Sequence, residues 1–199
     1  MRRSLLCLHV GLHTRNVKAY LLRLYGAAGS MALGNTLLNN FYQSKEIYIS
    51  NNIFMTLAVG LTMLVCLRNF AEHTRKQQIL QVLSVGLLTI LGAFLTEGGY
   101  VVLPFILITY LGRKSLFKRN LFYGLFALFL LFLSYQPYES IEMTVQMMLY
   151  NADWLFILVL PILSHYNGQA GPRTAFSRYF FYIFYPLHLW LLATIAYFI

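Results

Sequence analysis

The stretch Ser177-Arg-Tyr-Phe-Phe-Tyr-Ile-Phe-Tyr-Pro-Leu-His-Leu-Trp-Leu-Leu-Ala-Thr-Ile-Ala-Tyr-Phe-Ile199 decides the fold class. It is long and apolar enough for a membrane helix, which needs about 20 predominantly apolar residues. His188 lies ten residues after Arg178, which is about 15 Å along a helix axis. If Arg178 marks one membrane face, His188 lies near the middle of a hydrocarbon layer about 30 Å thick. An ionisable side chain at that depth indicates a functional site.

Further apolar runs precede this one, and together they predict an all-α integral membrane protein. The chain is 59% hydrophobic and only 11% charged, whereas soluble domains carry about 25% charged residues. We expect one polytopic membrane domain over residues 1–199, a bundle of about seven transmembrane helices. The spans are predicted near residues 17–38, 51–67, 79–95, 100–112, 120–135, 142–164 and 177–199. The first is the least hydrophobic and has the alternative of lying flat in the interface.

The distribution of charge predicts the orientation of these spans. With seven alternating crossings, 14 of the 15 basic residues fall on the side of the N-terminus, and only Lys45 falls on the other side. Positively charged loops stay in the cytoplasm, so the N-terminus is expected inside and the C-terminus outside. The basic residues occupy short links between apolar runs. We therefore expect the lipid bilayer, and not nucleic acid, as the partner of the net charge of +9.

His188 has a candidate partner in Asp153, the only acidic residue well inside a predicted span. Asp153 lies twelve residues before His165, about 18 Å into the sixth helix, so its depth is similar to that of His188 on the next, antiparallel helix. A paired carboxylate orients an imidazole and raises its basicity, as a general base requires. The alternative is a structural hydrogen bond between two neighbouring helices.

Two polar clusters at the ends of the spans are candidate binding sites. Glu97-Gly98-Gly99-Tyr100 is expected at the outer face, either as part of a site or as a tight turn with a solvated glutamate. His13-Thr14-Arg15-Asn16, together with Arg23, forms a cytoplasmic cluster at a helix start, where Thr14 is a candidate cap. Arg15 and Arg23 either bind a phosphorylated ligand such as a coenzyme or anchor the chain in the cytoplasm.

Five segments together resemble the TraX family, which is named for the pilin N-acetyltransferase of conjugative plasmids. They occur in the family's order and span nearly the whole chain: Gly11-Leu-His-Thr-Arg-Asn-Val-Lys-Ala-Tyr-Leu-Leu-Arg-Leu24, Asn51-Asn-Ile-Phe-Met-Thr-Leu-Ala-Val-Gly60, Glu97-Gly-Gly-Tyr-Val-Val-Leu103, Tyr166-Asn-Gly168 and Tyr179-Phe-Phe-Tyr-Ile-Phe-Tyr-Pro-Leu-His-Leu189. The last segment, with Tyr-Asn-Gly ahead of it, is the most specific.

The resemblance implies a multi-pass protein of the bacterial inner membrane that is related to integral membrane acyltransferases. Such enzymes take an acyl group from cytoplasmic acyl-coenzyme A, acetyl-coenzyme A included, and pass it to an amine or a hydroxyl of a protein or an envelope polymer. No metal is expected. The residues on family-pattern positions are His13, Arg15, Asn16, Arg23, Glu97, Tyr100, Asn167, Tyr185 and His188. His188 would be the base, with Asp153 as a candidate partner on grounds of depth alone.

The chain departs from the family pattern in one respect, and this difference leaves two functional classes open. Members of the family usually begin with about two further helices, the first of which carries an Asp-His pair, and this chain starts near the end of the second. The first class is an acyltransferase. The second is a non-catalytic multi-pass protein, either a transport or assembly component or a truncated, inactive member, whose polar residues serve helix packing.

Overall fold

The structure is a computed structural model that describes residues 16–45, 47–165 and 174–199. Within these ranges it contains helices and no strand. The α-helices are α1 Val17–Tyr42, α2 Ile53–Cys66, α3 Arg75–Leu95, α4 Gly99–Leu111, α5 Leu116–Ser134, α6 Ile141–Tyr150, α7 Val159–His165 and α8 Ala175–Phe198. Short 3₁₀ helices cover Gln43–Lys45, Phe70–Glu72, Gly112–Lys114 and Ala152–Leu158.

The helices follow the predicted spans closely, but fewer of them meet the requirements of a full crossing. Among the described residues, three are long and apolar enough to cross a membrane: α3, α5 and the Tyr179–Phe198 part of α8. The pair of α6 and the segment Ala152–His165 makes a fourth if it counts as one span. The helices α2 and α4 have only 14 and 13 residues. The protein is therefore an all-helical, multi-pass membrane protein, while the seven-span count and the orientation of the termini stay predictions.

The described helices form two compact units. The larger unit contains the described residues up to Leu103 and, in addition, residues 174–199; the smaller unit contains residues 104–165. In the larger unit, α1 and α2 meet at a core of fully or nearly fully buried side chains: Leu24, Ala28, Met31, Phe54, Ala58 and Leu61. Tyr182, Tyr185 and Leu189 of α8 pack against this core. The ring of Phe54 stacks on Tyr182 and meets the edge of Tyr185. This core fixes α8 against α1 and α2.

Hydrogen bonds give the directions of the helices in the larger unit. Trp190 bonds to Asn35, and farther along both helices Tyr42 bonds to Thr194, so α1 and α8 run parallel. Thr56 bonds to the carbonyl of Glu97 while Thr89 contacts the sulfur of Met63, so α2 and α3 run antiparallel. These relative directions agree with the alternation that the charge pattern predicts.

The smaller unit departs from the prediction at its sixth helix. A straight helix was expected over residues 142–164, but α6 ends at Tyr150, a 3₁₀ helix follows, and the pair is bent by 61°. Asn151, at the break, leaves helical geometry with φ −92° and ψ 67°, and its carbonyl accepts a hydrogen bond from Ser134 of α5 at 3.2 Å. The bend brings Phe156 against Tyr123, which is fully buried and stacks on Phe105.

Candidate functional site

The carboxylate of Glu97 is the centre of a hydrogen-bond network in the larger unit. Asn51 donates from Nδ2 to Oε1 at 2.6 Å, and the phenol of Tyr185 donates to Oε2 at 2.6 Å. Short bonds of this kind are typical of charge-assisted pairs. Both carboxylate oxygens are thus held, and each keeps capacity for another donor because a carboxylate offers about four acceptor positions. Of the two alternatives for this segment, the one with a solvated glutamate is therefore wrong about the carboxylate.

The turn that carries Glu97 has a backbone that only glycine suits. Gly98 has a φ of +60°, a region that residues with a Cβ rarely adopt. A Cβ on Gly99 would lie 2.1 Å from the carbonyl oxygen of Gly92 at the end of α3. Thr56 of α2 donates from Oγ1 to the carbonyl of Glu97 at 2.7 Å. The Glu-Gly-Gly sequence therefore builds one fixed turn that directs the carboxylate toward Asn51 and Tyr185.

A second set of bonds closes this network into a ring. The indole of Trp190 donates to Oδ1 of Asn35 at 2.9 Å, and Nδ2 of Asn35 donates to the carbonyl of Asn51 at 2.9 Å. Because Trp190 and Tyr185 both lie on α8, the ring runs from α8 through α1 and Asn51 to Glu97 and back. Asn35 is only 6% exposed, and a buried amide is costly unless it is bonded. The ring pairs both the oxygen and the nitrogen of the Asn35 amide.

Residues 47–52, just before α2, are not helical, and side chains of α1 pair the backbone of this segment. Asn39 holds it at Ile49, accepting from the backbone N–H at 2.7 Å and donating to the carbonyl at 3.0 Å. Irregular backbone at membrane depth is tolerated where its polar groups are paired within the protein. Asn35 and Asn39 supply this pairing and so position Asn51.

The position of Glu97 along the bundle differs from the one expected. Its partner Tyr185 lies six residues after Tyr179 and thirteen before Phe198, which is about 9 Å and about 20 Å along the axis of α8. The Tyr179–Phe198 stretch is a candidate span, so Glu97 lies beside the inside of this helix and not at its end, where the hairpin turn was expected. The reason is that α2 begins beside Tyr185, whereas α1 and α8 extend further, to the hydrogen bond between Tyr42 and Thr194.

His188 lies one turn beyond Tyr185 on α8 and beside the network. Its ring stacks on Phe184 at 5.1 Å between centroids and meets Tyr185 edge to face at 5.5 Å. Nδ1 is 3.1 Å from the carbonyl oxygen of Phe184. Since a carbonyl only accepts, Nδ1 carries the proton in this bond, and the neutral imidazole then has its lone pair on Nε2. This tautomer is the one that a base acting through Nε2 requires.

The structure brings three of the predicted site residues together: Glu97, Tyr185 and His188 form one cluster.

Other predicted site residues lie elsewhere. Asn16 caps α1, accepting from the N–H of Ala19 at 3.0 Å, so it fills the position expected for Thr14. Arg23 is exposed, with its guanidinium 5.7 Å from the ring centroid of Tyr20. Tyr100 is exposed too. Three residues, together with Thr14, lie outside the described ranges: His13, Arg15 and Asn167.

Asp153 lies in the 3₁₀ helix Ala152–Leu158 of the smaller unit, whereas His188 belongs to the larger unit. The depth expected for Asp153 assumed a straight α-helix from Asp153 to His165. A 3₁₀ helix rises about 2.0 Å per residue, against 1.5 Å in an α-helix, and the pair bends by 61°. The argument from equal depth therefore no longer holds, and the pairing of Asp153 with His188 stays a prediction.

Sequence reasoning missed three members of the network: Asn35, Asn51 as a partner of Glu97, and Trp190. The first span is predicted to end near residue 38, but α1 continues to Tyr42, which places the Asn35 amide inside a helix that packs against its neighbours. A buried asparagine at such a place is a signal for a hydrogen-bond partner on another helix. Asn52 caps α2, which leaves the side chain of Asn51 for Glu97.

Comparisons with known proteins place the chain in a family. No curated protein and no solved structure matches it. The family model described as TraX protein matches residues 4–196, which is nearly the whole chain and includes every member of the network. The chain therefore belongs to the TraX family.

Proposed function

We propose that this protein is a membrane acyltransferase that moves an acetyl or other acyl group from acyl-coenzyme A to an amine or hydroxyl acceptor. Membership of the TraX family and the multi-pass architecture support it. The observation that carries the proposal is the carboxylate of Glu97, held by Asn51 and by Tyr185 of a candidate span, whose ring also meets the imidazole of His188. Ionisable groups inside a membrane are costly and mark functional sites by default.

The residues of the cluster have complementary roles in this reaction. Nε2 of His188 takes the proton of the acceptor as that amine or hydroxyl attacks the thioester carbonyl. The new bond joins the acceptor atom to the acyl carbon, the carbon–sulfur bond breaks, and coenzyme A leaves as the thiolate. Glu97, bonded to the Tyr185 phenol whose ring meets His188, supplies a negative charge that stabilises the positive charge developing in the transition state. Tyr185 fixes the distance between the two ionisable groups.

The coenzyme is proposed to bind at the basic face where α1 begins. Arg23 lies near the start of α1, and the exposed guanidinium is free of any ion pair within the described ranges. Guanidinium groups bind phosphates through several N–H donors in one plane. His13, Arg15 and Asn16 are the further proposed contacts, and the acceptor-side contacts are Glu97, Tyr100 and Asn167.

The test is release of the coenzyme A thiol from acetyl-coenzyme A by the purified chain in lipid nanodiscs, with water or an added amine or alcohol taking the acyl group. His188→Asn keeps a polar side chain of similar size but removes the basic nitrogen, so we expect turnover to fall by at least about 100-fold, within the range for loss of a general base. Asp153→Asn tests the predicted partner in the same assay. Tyr179→Phe is the control, since Tyr179 is an exposed tyrosine on the same helix. Turnover in His188→Asn equal to that of the unchanged chain contradicts the proposal.

The alternative is a non-catalytic membrane protein in which the network serves only helix packing. The closed ring of bonds through Asn35 favours this reading, since buried amides that bridge helices also stabilise inactive membrane proteins. The two classes differ in one measurable respect. A packing role predicts that network variants lower the unfolding temperature in proportion to the bonds removed, with no thioester turnover in the unchanged chain.

A further inference from the structure

A cavity of about 350 Å³ in the larger unit lies beside the segment that carries Asn51. It is lined by Thr36, Asn39, Asn40, Gln43, Ile47 and Tyr48. Its volume falls within the range of about 300–1,000 Å³ for small-molecule sites. None of the six lining side chains is charged, and five of them carry a hydrogen-bonding group. The lining thus suits a polar ligand without net charge.

Two carboxamides in this lining are available to a ligand. Asn39 is engaged with Ile49, but the side chains of Asn40 and Gln43 are exposed and form no hydrogen bond with any other residue that the structure describes. A carboxamide offers two donors and a carbonyl acceptor side by side, which matches the paired donors and acceptors of neighbouring sugar hydroxyls. Tyr48 is 77% exposed, and its aromatic face offers an apolar surface beside a polar hydroxyl, as the C–H face of a pyranose ring requires.

The cavity is also close to the proposed reaction centre. Tyr48 precedes Asn51 by three residues in the non-helical segment Ile47–Asn52, a distance of at most about 10 Å in extended chain. Asn51 in turn holds Glu97. One short segment of chain therefore joins the lining of the cavity to the residue that holds Glu97.

We infer that this cavity is the acceptor subsite and that it binds a neutral carbohydrate, whose hydroxyl group receives the acyl group. The inference rests on the proposed acyltransferase function and names its acceptor class. The hydroxyl oxygen forms an ester bond with the acyl carbon, the hydroxyl proton goes to the base, and coenzyme A leaves as the thiolate. A peptide fits the lining less well, because extended peptides are recognised through pockets for alternate side chains and Ile47 is the one aliphatic residue among the six described lining residues.

The experiment measures binding without any acyl donor, by saturation-transfer NMR on the full chain in lipid nanodiscs free of sugar-based detergent. The probes are maltotriose, cellotriose and chitotriose, together with the neutral peptide N-acetyl-trialanine amide. The test variant is Asn40→Ala with Gln43→Ala. The matched control is Gln136→Ala with Tyr138→Ala, which alters a cavity of about 320 Å³ in the smaller unit that is also lined by amides and tyrosines.

We expect at least one trisaccharide to receive saturation from the unchanged chain and from the control. In the Asn40→Ala, Gln43→Ala variant we expect at least a tenfold weaker signal at an unchanged unfolding temperature. Absence of transfer to all three trisaccharides overturns the inference, as does a signal that survives in the test variant. Binding of the peptide in place of the trisaccharides also overturns it. The proposed function is read separately: a chain that binds a trisaccharide but releases no thiol from acetyl-coenzyme A, with or without that sugar, would overturn the acyltransferase function and the acceptor role, and leave only a carbohydrate-binding site.

Discussion

Tyr185 donates its phenolic proton to Oε2 of Glu97 across 2.6 Å and so joins two residues 88 positions apart in the chain. Glu97 lies in the turn between α3 and α4, and Tyr185 lies in the middle of α8. The bond therefore ties a turn built from two glycines to the candidate span that carries His188. It connects the two parts of the chain in which the proposed chemistry takes place.

Removing this bond with Tyr185→Phe should cost both stability and activity. The ring and its packing against Phe54 remain, but one oxygen of a partly buried carboxylate loses its donor. Losing a hydrogen bond to a charged group costs about 1.5–3 kcal/mol. Thermal unfolding in nanodiscs measures the stability, and thiol release measures the activity. Tyr179→Phe removes an exposed phenol from the same helix and should change neither quantity. Equal effects of the two variants would contradict the role of Tyr185.

The Gly98-Gly99 turn should tolerate no side chain at Gly99. In Gly99→Ala the new Cβ meets backbone, the carbonyl of Gly92, at 2.1 Å, so the turn must move and carry Glu97 with it. We expect a clear drop in unfolding temperature and loss of thioester turnover. Gly86→Ala is the control on α3, because a Cβ there has nothing within 4 Å. That change should stabilise the helix slightly, by up to about 1 kcal/mol. A Gly99→Ala protein as stable as Gly86→Ala would refute this account of the turn.

Asn35→Ala should loosen the positioning of Asn51. The change leaves the Trp190 indole and the Asn51 carbonyl without their partner, and each unpaired buried group costs about 1–3 kcal/mol. Trp190→Phe removes only the first of these two bonds, so it should have the smaller effect on turnover of acetyl-coenzyme A. Leu37→Ala, an exposed position on the same helix, serves as the control. If Trp190→Phe lowers turnover more than Asn35→Ala does, Asn35 does not act through Asn51.

The sequence predicted the helices well because their signals are local. Apolar runs and polar links mark the spans, and Asn52 caps α2 as its position before an apolar run indicates. The break at Asn151 was missed because the surrounding run is apolar and has no glycine or proline at the break. What bends the chain there is packing, including the bond from Ser134, which a reading of residues 142–164 alone does not contain.

The candidate site was predicted only in part, because the contacts that build it are not local in the sequence. Glu97, Tyr185 and His188 were singled out as residues, but their meeting depends on the tertiary fold. The partners of Glu97 are 46 and 88 residues away. Asn35 and Trp190 are unremarkable within their own helices and acquire a role only through the side chains facing them. The depth of Glu97 could not be predicted either, since it follows from where the short helix α2 begins.

The most direct test of the central claim is thiol release from acetyl-coenzyme A by Glu97→Gln and Glu72→Gln proteins, each in nanodiscs beside the unchanged chain. Glu97→Gln keeps the shape of the side chain but removes its charge, and it puts an amide donor opposite Asn51 or Tyr185. Glu72 is an exposed glutamate in the 3₁₀ helix Phe70–Glu72 and controls for loss of one negative charge. The account predicts at least about 100-fold slower release for Glu97→Gln and an unchanged rate for Glu72→Gln. Equal rates in a folded Glu97→Gln protein and in the unchanged chain would contradict it.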